Sequence, residues 1–167
     1  MDCTRAIIRF MFHVVDDEEI IRKVLVEIFQ RFGFEVRAFG CPAEYIEYMN
    51  APEYRKPTAI FSDVEMPGMN GYDFMYQVRQ VNPAQKFVIL SGAPETEHNK
   101  KNLACMYLYK PLKLDLLKDI IDLLIKCDKS GNSEKMEVQF NDDRAIFGIN
   151  NWTCPNDRCA NVSAKGP

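Results

Sequence analysis

The chain has 167 residues, the size of one ordinary domain with something left over. With 47% hydrophobic and 11% aromatic residues it can build a core, which excludes global disorder. A net charge of −3 argues against a general nucleic-acid binder.

The N-terminal run AIIRFMFHVV is broken by Arg9 and leads into acids, with no small-residue cleavage site, so it reads as a strand and not a signal peptide. It is the first of five short apolar runs: 10–15, 35–39, 58–61, 87–90 and 106–109. Between them lie stretches with helical spacing. Residues 18–32 put Ile20, Ile21, Val24, Leu25, Ile28 and Phe29 on one face, and Gly33 stops the helix. Residues 42–49 form a short second helix opened by Pro42, and 72–81 a third closed by Asn82-Pro83. Residues 94–102 are a polar fourth, and 114–126 a strongly apolar fifth. Strand and helix alternate five times, which predicts an α/β fold: a doubly wound five-stranded parallel sheet with helices on both faces. Near-continuous apolar runs suit strands buried on both sides.

After residue 126 the sequence CDKSGNSEK is turn-rich and reads as a linker. Two short apolar stretches flanking Asn141-Asp-Asp-Arg are expected as a hairpin, followed by a tail. The division expected is residues 1–127 as the main domain and 128–167 as linker and C-terminal extension. Four of the six cysteines (Cys3, Cys41, Cys105, Cys127) are scattered through core elements, as reduced thiols of a cytoplasmic protein would be. Cys154 and Cys159 are at best half a zinc site. No apolar run reaches the ~18 residues that cross a bilayer.

The chemistry gathers at strand ends. The first strand ends in Asp16-Asp17, and the third runs into Asp63. Ligands of doubly wound sheets sit at the carboxyl ends of the strands, where the strand order reverses. In the order 2-1-3-4-5, strands one and three are neighbours, about 4.8 Å apart, and three carboxylates crowd one corner. Such a cluster needs a cation, and an all-oxygen acidic site suits Mg²⁺. Ser91 and Lys110 lie at the ends of strands four and five, adding a hydroxyl and an ammonium. Asp63 can then act as a nucleophile toward phosphorus, with Mg²⁺ and Lys110 neutralising phosphoryl oxygens and Ser91 donating to one of them.

VVDDEE, FSDVEMPGMNG, VILSG and YLYKP, in this order, resemble the motifs of response-regulator receiver domains of two-component signalling. The resemblance covers roughly residues 10–127 and implies the 2-1-3-4-5 flavodoxin-like fold. It implies that Asp63 is the phosphoacceptor. It implies that Asp16 and Asp17 bind metal together with Asp63 and the backbone carbonyl of Glu65. Ser91 and Tyr107 then match the switch positions and Lys110 the family's lysine, followed by Pro111. The implied partners are a histidine kinase or histidine phosphotransfer protein and a downstream protein target. Self-phosphorylation and slow autodephosphorylation are expected of a signalling phosphoacceptor that is not otherwise an enzyme. The stretch from Ser91 to Lys110 is about one helical turn shorter than is usual in this family, a turn being ~3.6 residues.

The expected protein is a stand-alone receiver, with no DNA-binding domain evident, no membrane partner, and homodimerisation left open. Two rivals stand beside it. A flavodoxin-like cofactor binder would need a hydroxyl- or glycine-rich first loop, where this chain has Asp-Asp-Glu-Glu. A degenerate receiver acting as a constitutive interaction or dimerisation module would not need all five site residues. His13, mid-strand, is expected as a packed and hydrogen-bonded core histidine.

Overall fold

The structure, a computed structural model, describes residues 10–92, 104–129, 137–139 and 151–153. The elements run β1 (Met11–Val15), α1 (Glu19–Arg31), β2 (Glu35–Phe39), α2 (Pro42–Met49), β3 (Ala59–Asp63), α3 (Gly71–Val81), β4 (Lys86–Ser91), β5 (Met106–Tyr109) and α4 (Leu114–Lys129). Strands β1 to β5 form one parallel sheet in the order β2-β1-β3-β4-β5. The expected helix at 94–102 lies outside the described residues, as do His98, Cys3, Cys154 and Cys159.

Side chains alternate across each strand, so each strand feeds two cores. Phe12, Val14, Phe61, Val88 and Leu90 pack with Leu25 and Phe29 of α1 and with Leu117, Ile120, Ile121 and Leu124 of α4. On the opposite face Val15, Ile60, Phe87, Ile89 and Tyr107 pack with Tyr45 and Tyr48 of α2 and with Phe74, Met75 and Val78 of α3. Burial on both faces is why residues 59–61, 87–90 and 106–108 are continuously apolar.

The inward stripe of α1 is narrower than expected from its spacing. Leu25 and Phe29 are buried, with Ile21 and Ile28 packed beside them, whereas Ile20 (76% exposed) and Val24 (48%) face outward. At about 100° per residue, the six apolar residues span too wide an arc to meet one sheet. Two strands also run farther than their apolar runs. β3 continues through Ser62 and Asp63, and β4 through Ser91, because the ladder goes on pairing after the hydrophobic pattern stops. The Val64 amide, one residue later, still donates to the Leu90 carbonyl at 3.1 Å.

His13 is fully buried in β1, with Nδ1 3.1 Å from the Tyr45 hydroxyl and its ring among those of Phe39, Tyr45 and Tyr48. In the C-terminal segment, β6 (Glu137–Gln139) pairs antiparallel with β7 (Asn151–Thr153). Residues 140–150, with the turn expected around Asn141 to Arg144, lie outside the described residues.

Candidate functional site

Four strands deliver their ends to one edge of the sheet. Asp16 and Asp17 follow β1, Asp63 is the last residue of β3, Ser91 the last of β4, and Lys110 follows β5. One carboxylate oxygen from each of Asp16, Asp17 and Asp63 lies within 4.8 Å of the others. Asp16 is fully buried and Asp63 nearly so, while Asp17 is exposed. Two carboxylates at such a spacing repel by about 3 kcal/mol at an effective dielectric of ~20.

Lys110 is the counterweight. Its Nζ lies 3.0 Å from Asp16 Oδ2, 3.0 Å from Asp63 Oδ1 and 3.4 Å from Glu18 Oε1. Burial pushes the Asp63 carboxyl above the ordinary carboxylate range. The hydrogen bond and charge of Lys110 pull it back, and the Asp16 charge pushes it up again. At Lys110, burial favours the neutral amine, but hydrogen bonds to Asp16 and Asp63 outweigh it and hold the ammonium above the ordinary lysine range. Three carboxylates against one ammonium still leave an excess of negative charge. The donors are all oxygens, partly open to solvent through Asp17, and this fits a hard divalent cation that keeps some of its waters.

The acids are held from behind by backbone. Asp16 Oδ1 accepts from the Glu18 amide at 2.9 Å, and the Asp16 amide donates to the Phe39 carbonyl at 3.2 Å. Arg22 of α1 reaches back to donate to the Asp16 carbonyl at 2.6 Å. At β3, Ser62 Oγ donates to the Asp63 carbonyl at 3.0 Å, and the Gly71 amide donates to the Val64 carbonyl at 2.9 Å. This last bond pulls the start of α3 hard against the strand tip. A Cβ at Gly71 would sit 2.2 Å from the Asp63 carbonyl oxygen, so only glycine fits. The first turn of α3 is capped by Asn70, whose Oδ1 accepts from the Tyr72 and Asp73 amides, both at 2.9 Å.

Of the residues singled out in the sequence, Asp16, Asp17, Asp63 and Lys110 come together in one constellation. Ser91, 3% exposed, sits at the same edge, and its carbonyl accepts from the Lys110 amide at 2.8 Å. Glu65 lies two residues past Asp63 in the loop that leaves β3, with its side chain exposed. Tyr107 stands apart from the acids. Its side chain is 4% exposed, packed in the α3-side core with its ring centroid 6.4 Å from that of Tyr72. The Lys110–Pro111 peptide is cis. The sequence pattern did not single out Glu18 or Arg22. Glu18 directly follows the acid pair, which was a usable signal; the reach of Arg22 to a carbonyl six residues back leaves no such trace.

A sequence profile described as the response regulator receiver domain matches residues 12–122. The uncharacterized transcriptional regulatory protein YesN of Bacillus subtilis is 30% identical over 101 residues, 59% of this chain and 27% of that protein. Nodulation protein W of Bradyrhizobium diazoefficiens is 27% identical over 138 residues, 81% of this chain and 60% of that one. The chain thus spans less than two thirds of either relative. Among solved structures, the response regulator TrrA of Thermotoga maritima, in complex with Mg²⁺-BeF, is 26% identical with a TM-score of 0.61, covering 69% of this chain and 98% of that one.

Proposed function

The chain belongs to the response regulator receiver domain family, and from that premise we propose that it takes a phosphoryl group onto Asp63 from the phosphohistidine of a kinase or phosphotransfer protein. The observation that carries this reading is the sharing of one lysine between a fully buried and a nearly buried carboxylate, Asp16 and Asp63, at the edge where a donor can enter.

A carboxylate oxygen of Asp63 attacks phosphorus. The new O–P bond forms as the P–N bond to the partner's imidazole breaks; that nitrogen keeps the electron pair, and the imidazole leaves neutral with the proton already on its other ring nitrogen. Lys110 stands beside Asp63 to receive a phosphoryl oxygen, which replaces part of the carboxylate charge it now balances. Asp16, Asp17, Asp63 and the Glu65 carbonyl would hold Mg²⁺, which supplies charge neutralisation for the phosphoryl oxygens when bound. In this reading Ser91 donates to a third oxygen. Water attacking the acyl phosphate later restores the carboxylate and releases inorganic phosphate, which makes the protein a timed signal carrier and not a turnover enzyme.

Occupancy of Asp63 draws Ser91 toward the phosphoryl group, and Tyr107 repacks with it. A bias of a few kcal/mol between two packings is enough for such a switch. The output goes to a protein partner or onward along a phosphorelay. A cytoplasmic setting accords with Cys41, Cys105 and Cys127 standing outside any disulfide among the described residues.

The test is intact mass after incubation with a small phosphodonor and Mg²⁺. One added phosphoryl group is expected on the wild type and none on Asp63→Asn. A folded, Mg²⁺-binding sample that gains no mass would instead make the protein a constitutive interaction module.

A further inference from the structure

We propose that Glu18 sets which phosphodonors this site accepts, by holding Lys110 from the solvent side and fixing a negative charge at the mouth of the site. The inference rests on the phosphoacceptor reading of Asp63 and adds a specificity residue to it.

Among the described residues Lys110 has three carboxylate partners of unequal kind. Asp16 and Asp63 are 0% and 8% exposed at their side chains, while Glu18 is 62% exposed and makes the longest contact, 3.4 Å against 3.0 Å for each of the others. An arriving phosphoryl group needs an ammonium proton. Until the O–P bond forms, taking it from a buried aspartate would leave that charge without its counter-ion, whereas Glu18 can turn to water at little cost. Glu18 is therefore the partner that yields.

It does not yield by leaving. Its amide is bound to Asp16 Oδ1 at 2.9 Å and its carbonyl accepts from the Arg22 amide at 3.1 Å, so its backbone stays fixed beside the acids. Its contact to Lys110 and that of Lys110 to Asp63, 3.4 and 3.0 Å, place the Glu18 carboxylate within about 6 Å of the nucleophile. Every donor must pass this charge, and Coulomb repulsion scales with the donor's own charge. A dianionic acyl phosphate is penalised more than a phosphoramidate of lower charge. A phosphohistidine flanked by a basic side chain is penalised least.

The test compares single-turnover phosphorylation of the full chain by acetyl phosphate and by phosphoramidate at saturating Mg²⁺, followed by intact mass. In both reactions an Asp63 oxygen bonds to phosphorus, and acetate or ammonia departs with its electron pair. Glu18→Gln should speed acetyl phosphate about five-fold and phosphoramidate about two-fold at low salt. The gap between donors should close as ionic strength rises, because screening acts on an exposed charge. Glu18→Asp keeps the charge and should retain the wild-type donor ratio. Equal acceleration of both donors, no acceleration, or a donor ratio indifferent to salt would overturn the role of Glu18 and leave the phosphoacceptor reading standing. A wild type that neither donor phosphorylates would overturn both.

Discussion

The close approach of α3 to the end of β3 makes Gly71→Ala a sharp probe. The added methyl would lie 2.2 Å from the Asp63 carbonyl oxygen and 3.1 Å from the carbonyl carbon. Both are backbone atoms, so no side chain can swing aside. An ordinary contact needs roughly 1 Å of separation between the helix start and the strand tip. Overpacking of this kind costs about 1–3 kcal/mol. The hydrogen bond from the Gly71 amide to Val64, now 2.9 Å, is stretched at a further cost of about 1 kcal/mol. Alanine's better helix propensity returns just under 1 kcal/mol, roughly. The net expectation is a loss of about 1–3 kcal/mol, or about 4–12 °C in melting temperature for a domain of this size. Because Asp63 itself is displaced, phosphorylation by a small donor should slow by about 100-fold. Gly68→Ala is the control. Gly68 has φ +83°, and a methyl added there would meet nothing within 4 Å, so the change should cost about 1 kcal/mol of backbone strain and leave the phosphorylation rate alone. A Gly71→Ala protein that melts within about 2 °C of wild type and phosphorylates normally would refute the steric argument.

Asp63→Asn should be at least as stable as wild type at pH 7 in metal-free buffer. The folded-state carboxyl is pushed upward, first by burial, so its ionisation opposes folding above the ordinary carboxylate range, and the advantage of Asn should fade as pH falls into that range. Urea melts at pH 7 and pH 4 decide this; a large loss at pH 7 would make Asp63 a structural residue. Lys110→Met strips the counter-ion from two buried acids and should cost about 2–4 kcal/mol at pH 7. Mg²⁺ should restore part of this stability, as should acidification that protonates the acids. Melts indifferent to Mg²⁺ would argue against a cation site. The stabilising charge of Lys110 itself persists below the ordinary lysine pKa and is lost only as pH rises through its raised folded value. Burial, then the charges of Arg37 and Arg55, lower the His13 pKa from 6.5 to about 3. Its contribution is complete above pH 6.5 and is lost as pH falls toward 3, at up to about 1.4 kcal/mol per pH unit. His13→Gln should flatten that slope in denaturant melts; an unchanged slope would assign acid sensitivity to the carboxylates alone.

The parts of this site that could be read from the sequence are those fixed by topology. Asp16 and Lys110 are 94 residues apart, yet each ends an apolar run, and a doubly wound sheet brings such ends together. Strand centres were legible for the same reason. The ends at Asp63 and Ser91 were legible from the polar residues that close the apolar runs, although Ser62 breaks the pattern while its backbone stays in the ladder. The orientation of α1 was only half legible: spacing indicated a helix with an apolar face, but only packing separates Leu25 from Val24. Glu18 was signalled only by its place directly after the acid pair, and the reach of Arg22 to a carbonyl is encoded by no residue pattern. Gly71 was visible as a loop glycine, but its reason, a strand carbonyl where a Cβ would be, exists only in three dimensions.

That contact also bears on how Tyr107 can be at once a core residue and a candidate switch. Gly71 rests on the Asp63 carbonyl without slack, and the next residue, Tyr72, carries the ring that faces Tyr107. Asn70 ties the intervening amides into one capped turn, so this turn moves as a unit. Packed interiors compress little. A shift of the Asp63 backbone toward α3 is therefore a shift of the first turn of α3, and it reaches Tyr107 from the helix side. The aromatic needs no cavity and no exposed resting place for a movement of Asp63 to reach it. It needs only to lean on a helix that has nowhere else to go.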